Sequence, residues 1–97
     1  KSINMIGSFY EDGWVVDHDL KAAAGYYRRA AEGGDFRGRF NHARMLIDAR
    51  DFDGALHWIS RINENATPAF MAKVEMWLAA SAHARLRTEG IAALKGL

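Results

Sequence analysis

The sequence predicts an all-α fold, and three observations carry that reading. Apolar residues recur at three- and four-residue steps along nearly the whole chain, the spacing that gathers side chains on one face of a helix. No segment alternates apolar and polar residues as a half-buried strand does. The breaks between periodic segments hold Gly, Asn or Asp, and the single proline follows Thr67, a cap and first-turn pair that starts helices.

Taken in order, Ile3, Ile6 and Tyr10 share one face of a first helix, which Asp12-Gly13 ends. Trp14-Val15-Val16 forms a short apolar loop, with Trp14 placed to cover the hairpin end or to anchor a partner. Asp17 or Asp19 can accept the free amides that open a second helix. That helix runs to about Glu32 with Leu20, Ala23, Tyr27 and Ala30-Ala31 inward, and Gly33-Gly34 supply its left-handed stop. Asp35 caps a third helix carrying Phe36, Phe40, Ala43, Leu46 and Ile47. Asp51 caps a fourth carrying Phe52, Ala55, Leu56, Ile59 and Ile62, and Asn63 and Asn65 break it. Thr67-Pro68 opens a longer helix expected to reach about Arg87, with Phe70, Met71, Val74, Trp77, Leu78 and Leu86 apolar. Gly90 is expected to interrupt it, leaving Ile91 to Leu97 for a last turn or two. Short turns of about two to six residues make consecutive helices antiparallel neighbours.

Composition narrows the function classes. Ninety-seven residues suit one domain, and 49% apolar with 26% charged residues allow both a packed core and solubility. The absence of cysteine excludes a disulfide scaffold, a thiolate metal site and a cysteine nucleophile. Thirteen basic against twelve acidic residues leave a net charge of +1, too little excess to favour nucleic acid. Nine of the basic residues are Arg, whose planar fork suits carboxylates and interfaces. No apolar run approaches a membrane span, and no export leader is visible. A start at Lys1 without methionine suggests a piece of something longer, and cytoplasmic and periplasmic settings both fit.

A repeat is also legible. Helices one and three align at an offset of 36 residues (Ile6-Gly7 over His42-Ala43), and helices two and four at 32 (Ala23 over Ala55), so two helical hairpins of similar length follow one another. The segment Ile6 to Asp35 resembles the Sel-1-like repeat, a relative of the tetratricopeptide repeat. Ile6-Gly7, Tyr10, Gly13, Val16, Asp19, Ala23, Tyr26-Tyr27, Arg29, Ala30, Ala31 and Gly34 fall where that pattern has its characteristic residues. Val15 departs from it at a loop glycine, and Ala22 at a lysine that stands one place early as Lys21. The next unit is closer to a plain tetratricopeptide repeat, with Arg50 to Leu56 as its tight turn. The resemblance implies a short right-handed α/α solenoid of stacked antiparallel hairpins in a single domain, 1–97. Repeat one covers about 3–34, repeat two about 35–63, and a third helix or C-terminal cap about 67–97.

Little in the sequence points to chemistry. His18, His42, His57 and His83 lack metal-ligand spacing, and His42, at a usual leucine position of the repeat, is expected to be packed and hydrogen-bonded. Asp51, Asp53 and Gly54 sit like positions three, five and six of a calcium loop, but Ala49 and Ser60 stand where its first carboxylate and bidentate Glu belong. Ser2, Ser8, Ser60 and Ser81 lack a glycine-flanked elbow. No catalytic group, metal or cofactor is therefore expected.

The resemblance instead implies a scaffold or adaptor whose first helices line a concave groove for a protein or peptide partner. Asn4, Ser8, Glu11, Arg37, Phe40, Arg44 and Asp48 are the groove candidates, and the mixed charge of this wall suits protein better than a phosphate backbone. The alternative is self-association into a homo-oligomer through the last helices, with Trp77, Leu78, Ile91 and Leu94 as the contact.

Overall fold

The structure, a computed structural model, describes residues 20–97. The expected first helix and the Trp14 loop lie outside the described residues. Helix α1 spans Leu20–Glu32, α2 Phe36–Asp48, α3 Phe52–Ile62 and α4 Pro68–Ala79; a π-helical turn, Leu86–Gly90, runs directly into α5, Ile91–Lys95. Every regular element among the described residues is helical.

Local chemistry sets the ends of these helices. At the end of α1 the Gly34 N–H bonds to the Ala31 carbonyl and the Asp35 N–H to the Ala30 carbonyl, with Gly34 at φ +92°. This paired bonding satisfies two of the carbonyls that a helix end leaves open. The end of α2 repeats it: Arg50 N–H to Ile47 and Asp51 N–H to Leu46, with Arg50 at φ +65°. A non-glycine residue there costs about 1–2 kcal/mol. The Arg50 guanidinium lies 3.3 Å from His83 Nε2, and because it can only donate, that nitrogen is the acceptor. Asp35 accepts from Arg37 N–H, Asp51 from Gly54 N–H and Thr67 from Phe70 N–H, the three helix starts marked in the sequence.

The long helix expected from Pro68 to Arg87 is instead two segments. Helix α4 ends at Ala79, where Ser81 N–H bonds to the Leu78 carbonyl and Ser81 Oγ accepts from His83 N–H. A serine hydroxyl bonding its local backbone competes with helix continuation. The turn folds the chain back, so that Leu86 and Leu94 join Ala43, Ile47, Ala55, Ile59, Ile62, Val74 and Leu78 in one core. Fully burying such a Leu or Ile contributes about 1.5–3 kcal/mol. Gly90 is not an interruption but a buried contact: a Cβ there would lie 3.1 Å from Leu78 Cδ2. The stop comes at Gly96, at φ +75°.

Consecutive helices α1, α2 and α3 pack side by side, and the C-terminal segment packs on both α3 and α4. Two contacts dominate the α1–α2–α3 junctions. Gly38 of α2 lies against α1 so closely that a Cβ would meet Ala30 Cβ at 2.5 Å and the Ala31 nitrogen at 3.0 Å. Beside it, Arg39 has only 6% of its side chain exposed; Nη1 donates to the Arg61 carbonyl (2.7 Å) and to Glu64 Oε1 (3.1 Å). Asn65 Nδ2 in turn donates to the Gly34 carbonyl, tying the loop after α3 to the turn after α1.

Chemical-denaturation midpoints test both contacts. Gly38→Ala should destabilise by about 1–3 kcal/mol, because overpacking at the crossing outweighs the helix propensity gained. Arg39→Ala should cost about 2–3 kcal/mol, from two charge-assisted hydrogen bonds and the packing of the stem.

Candidate functional site

Helix α4 carries apolar side chains on its solvent side as well as toward the core. Val74 and Leu78 are buried, whereas Ala69, Ala72, Met76 and Trp77 are exposed, Met76 at 73% and Trp77 at 37%. A helix apolar on both sides is commonly covered by something else.

The side of α4 that turns toward α2 forms an aromatic row. Phe36 meets Phe70 edge to face at 4.9 Å between centroids, Phe40 meets Phe70 at 5.8 Å and Trp77 at 5.1 Å. Seven-residue spacing puts Phe70 and Trp77 on one stripe of α4, as four-residue spacing does for Phe36 and Phe40 on α2. Such pairs contribute about 0.5–1.5 kcal/mol each beyond the area they bury. Two arginines lie on these rings. The Arg37 guanidinium is 4.7 Å from the Phe36 centroid and 5.8 Å from that of Phe70. The Arg44 guanidinium is 5.9 Å from both Tyr27 and Phe40, and Asn41 Oδ1 accepts from its Nε and Nη2.

Of the groove candidates, Arg37, Phe40, Arg44 and Asp48 thus occupy one side of α2, with Arg37 and Asp48 exposed and Phe40 and Arg44 half-buried. Asn4, Ser8 and Glu11 lie outside the described residues. Phe36, Phe70, Lys73 and Trp77 complete this face; the phenylalanines are half-buried against the core, and Trp77, expected in the self-association contact, is exposed beside them. The available signal was the seven-residue spacing of Phe70 and Trp77 bracketing Lys73, a cation within an apolar stripe. The self-association surface needs correction: Leu78 and Leu94 are fully buried in the chain's own core, since the turn at Ser81 folds the last helix inward.

Away from this face a concavity of about 280 Å³ opens where α1, α2 and α3 meet, lined by Arg28, Glu32, His42, Asp51 and Trp58 among others. His42 packs edge to face on Trp58 at 5.4 Å, but its Nδ1 is buried without a hydrogen-bond partner, contrary to the expected hydrogen-bonded histidine. Burial, and then the Arg28 charge, hold its pKa below the ordinary 6.5, against the opposing pull of Glu32 and Asp51. Arg28 is paired with Glu32, and Asp51 is engaged in capping α3. Among the described residues no three His, Cys, Asp or Glu side chains are grouped to hold a metal ion, and no helix is long and apolar enough to cross a membrane.

No protein-family model, curated protein or solved structure matches this chain.

The His42 environment makes a pH prediction. The unfolded chain takes up the proton more readily than the folded one, so this group's contribution to stability is complete above pH 6.5 and declines as pH falls through the lowered folded value. The urea midpoint should therefore drop on acidification below pH 6.5, and His42→Leu should flatten that part of the profile. An unchanged profile in the variant would remove His42 as its source.

Proposed function

We propose that this protein is a non-catalytic scaffold of Sel-1-like and tetratricopeptide-like helical hairpins, which binds a segment of a protein partner on the α2–α4 face. The observation that carries the reading is the row Phe36–Phe40–Phe70–Trp77, edged by exposed Met76 and by Arg37. Aromatic and arginine side chains on a rigid support are the residues that supply most binding energy at protein interfaces. Because the rings are held by one another, little side-chain entropy is lost when a partner docks.

The pairing of elements supports the stacked-hairpin part of the proposal. Helix α2 meets α4 through its rings, and α3 meets α5 through the core. First helix beside first helix, and second beside second, is the arrangement that a solenoid of antiparallel hairpins requires. In this reading α4 with the C-terminal segment is the third hairpin, closing a right-handed stack.

The test is photo-crosslinking with a benzophenone side chain in place of Met76, followed by mass spectrometry of adducts formed in source lysate. A partner captured through position 76, and lost when Trp77→Ala or Arg37→Glu is added, is the expected result. Adducts recovered equally from all variants would discard this face.

A further inference from the structure

We infer that the segment recognised on the α2–α4 face is acidic, its carboxylates meeting Arg37 and Lys73 while an apolar side chain beside them rests on Trp77 and Met76. This deepens the reading of that face as a protein-binding surface, and rests on it.

Several cations of the fold are already satisfied. Arg28, Arg39, Arg61, Arg85 and Lys95 each have a carboxylate within 3.3 Å. Arg37 and Lys73 are exposed and have no carboxylate partner among the described residues. Asp35, the acid nearest to Arg37 in sequence, is engaged with the Arg37 backbone N–H. The two cations also border the same ring. Arg37 stands 5.8 Å from the Phe70 centroid, and Lys73 lies one turn along α4 from Phe70, a spacing that makes side chains neighbours. A guanidinium resting on Phe36 and Phe70 keeps its plane fixed and leaves an edge of N–H donors for a carboxylate. Two unanswered positive charges beside exposed apolar side chains therefore complement a segment that mixes Asp or Glu with apolar residues.

Nucleic acid would bring the same negative charge, but the rings disfavour it. They interlock at interplanar angles of 63°, 87° and 82°, and Arg37 lies over Phe36 and Phe70. The face therefore lacks the row of open ring planes on which unpaired bases stack.

The experiment uses the full chain and three probes: a short peptide of alternating Glu and Leu, its Lys–Leu counterpart, and oligo-deoxythymidine. NMR follows the Arg37 Nε–H and Trp77 indole N–H signals during each titration. The expected result is a saturable shift of both signals with the Glu–Leu peptide. In an Arg37→Glu/Lys73→Glu variant its affinity should be about tenfold weaker and the Lys–Leu peptide should bind instead. An Arg37→Gln/Lys73→Gln variant, expected to lose the acidic peptide without gaining the basic one, replaces the reversal if far-UV circular dichroism shows lost helix. No saturable shift with the Glu–Leu peptide, undiminished binding by the variants, or tighter binding of oligo-deoxythymidine at the same signals would overturn the inference. Crosslinking through position 76 that persists beside such a failure would overturn the acidic segment alone; loss of both would overturn the protein-binding reading as well.

Discussion

Helix ends expose backbone carbonyls that must find donors, and in this protein one buried guanidinium answers that need at the junction where the chain changes direction. Arg39 on α2 donates to the Arg61 carbonyl in the last turn of α3, where the negative end of the helix dipole also favours a cation. Glu64, bonded by Arg61 and then by Arg39, is held below its ordinary carboxyl range and neutralises the charge from the solvent side. Asn65 carries the link on to the Gly34 carbonyl. The last turn of α3 thereby acquires a fixed place against α1 and α2. The course of α4 depends on that placement: Thr67 caps it two residues after Asn65, and the helix then aims Phe70 and Trp77 at Phe36 and Phe40.

The close approach at Gly38 serves the same purpose from the other side. With no Cβ on α2 at that point, α1 settles onto it and Tyr27 is buried. Arg44 then rests over Tyr27 and Phe40, so both arginines of the α2–α4 face are positioned by packing. A cation laid on a ring in this way retains its charge and some of its donors while losing mobility. Many ionisable groups among the described residues are occupied with capping and ion pairs, and the imidazole of His42 packs against Trp58.

At the C-terminal end, the π-turn and Gly90 allow the last segment to follow α4 closely. Leu86, Gly90 and Leu94 succeed one another at four-residue steps along the buried side, and at Gly90 the segment comes close to Leu78, where a Cβ would lie 3.1 Å from Leu78 Cδ2. The same fold-back removes Leu78 and Leu94 from any outward surface and leaves Met76 and Trp77 as the large exposed apolar residues of α4.

The sequence alone determined the helical class, the ends of α1, α2 and α3 and the start of α4, because these depend on period and on residues within one turn: Gly34, Asp35, Asp51 and Thr67 act on their own neighbours. It also marked Arg37, Phe40, Arg44 and Asp48 as one side of α2, since spacing within a helix fixes relative direction. It misplaced the end of α4, because the serine bond at Ser81 wins over an apolar period that runs on to Leu86. It held no sign of the Arg39 clasp, whose partners are 22 to 26 residues away, nor of the ring contacts that set Phe70 and Trp77 against Phe36 and Phe40. Tertiary structure decided those points: whether an arginine is a buried strut or an exposed cation, and whether an aromatic ring is buried or left partly open, depends on which distant helix arrives beside it, and period along one helix carries no information about that arrival.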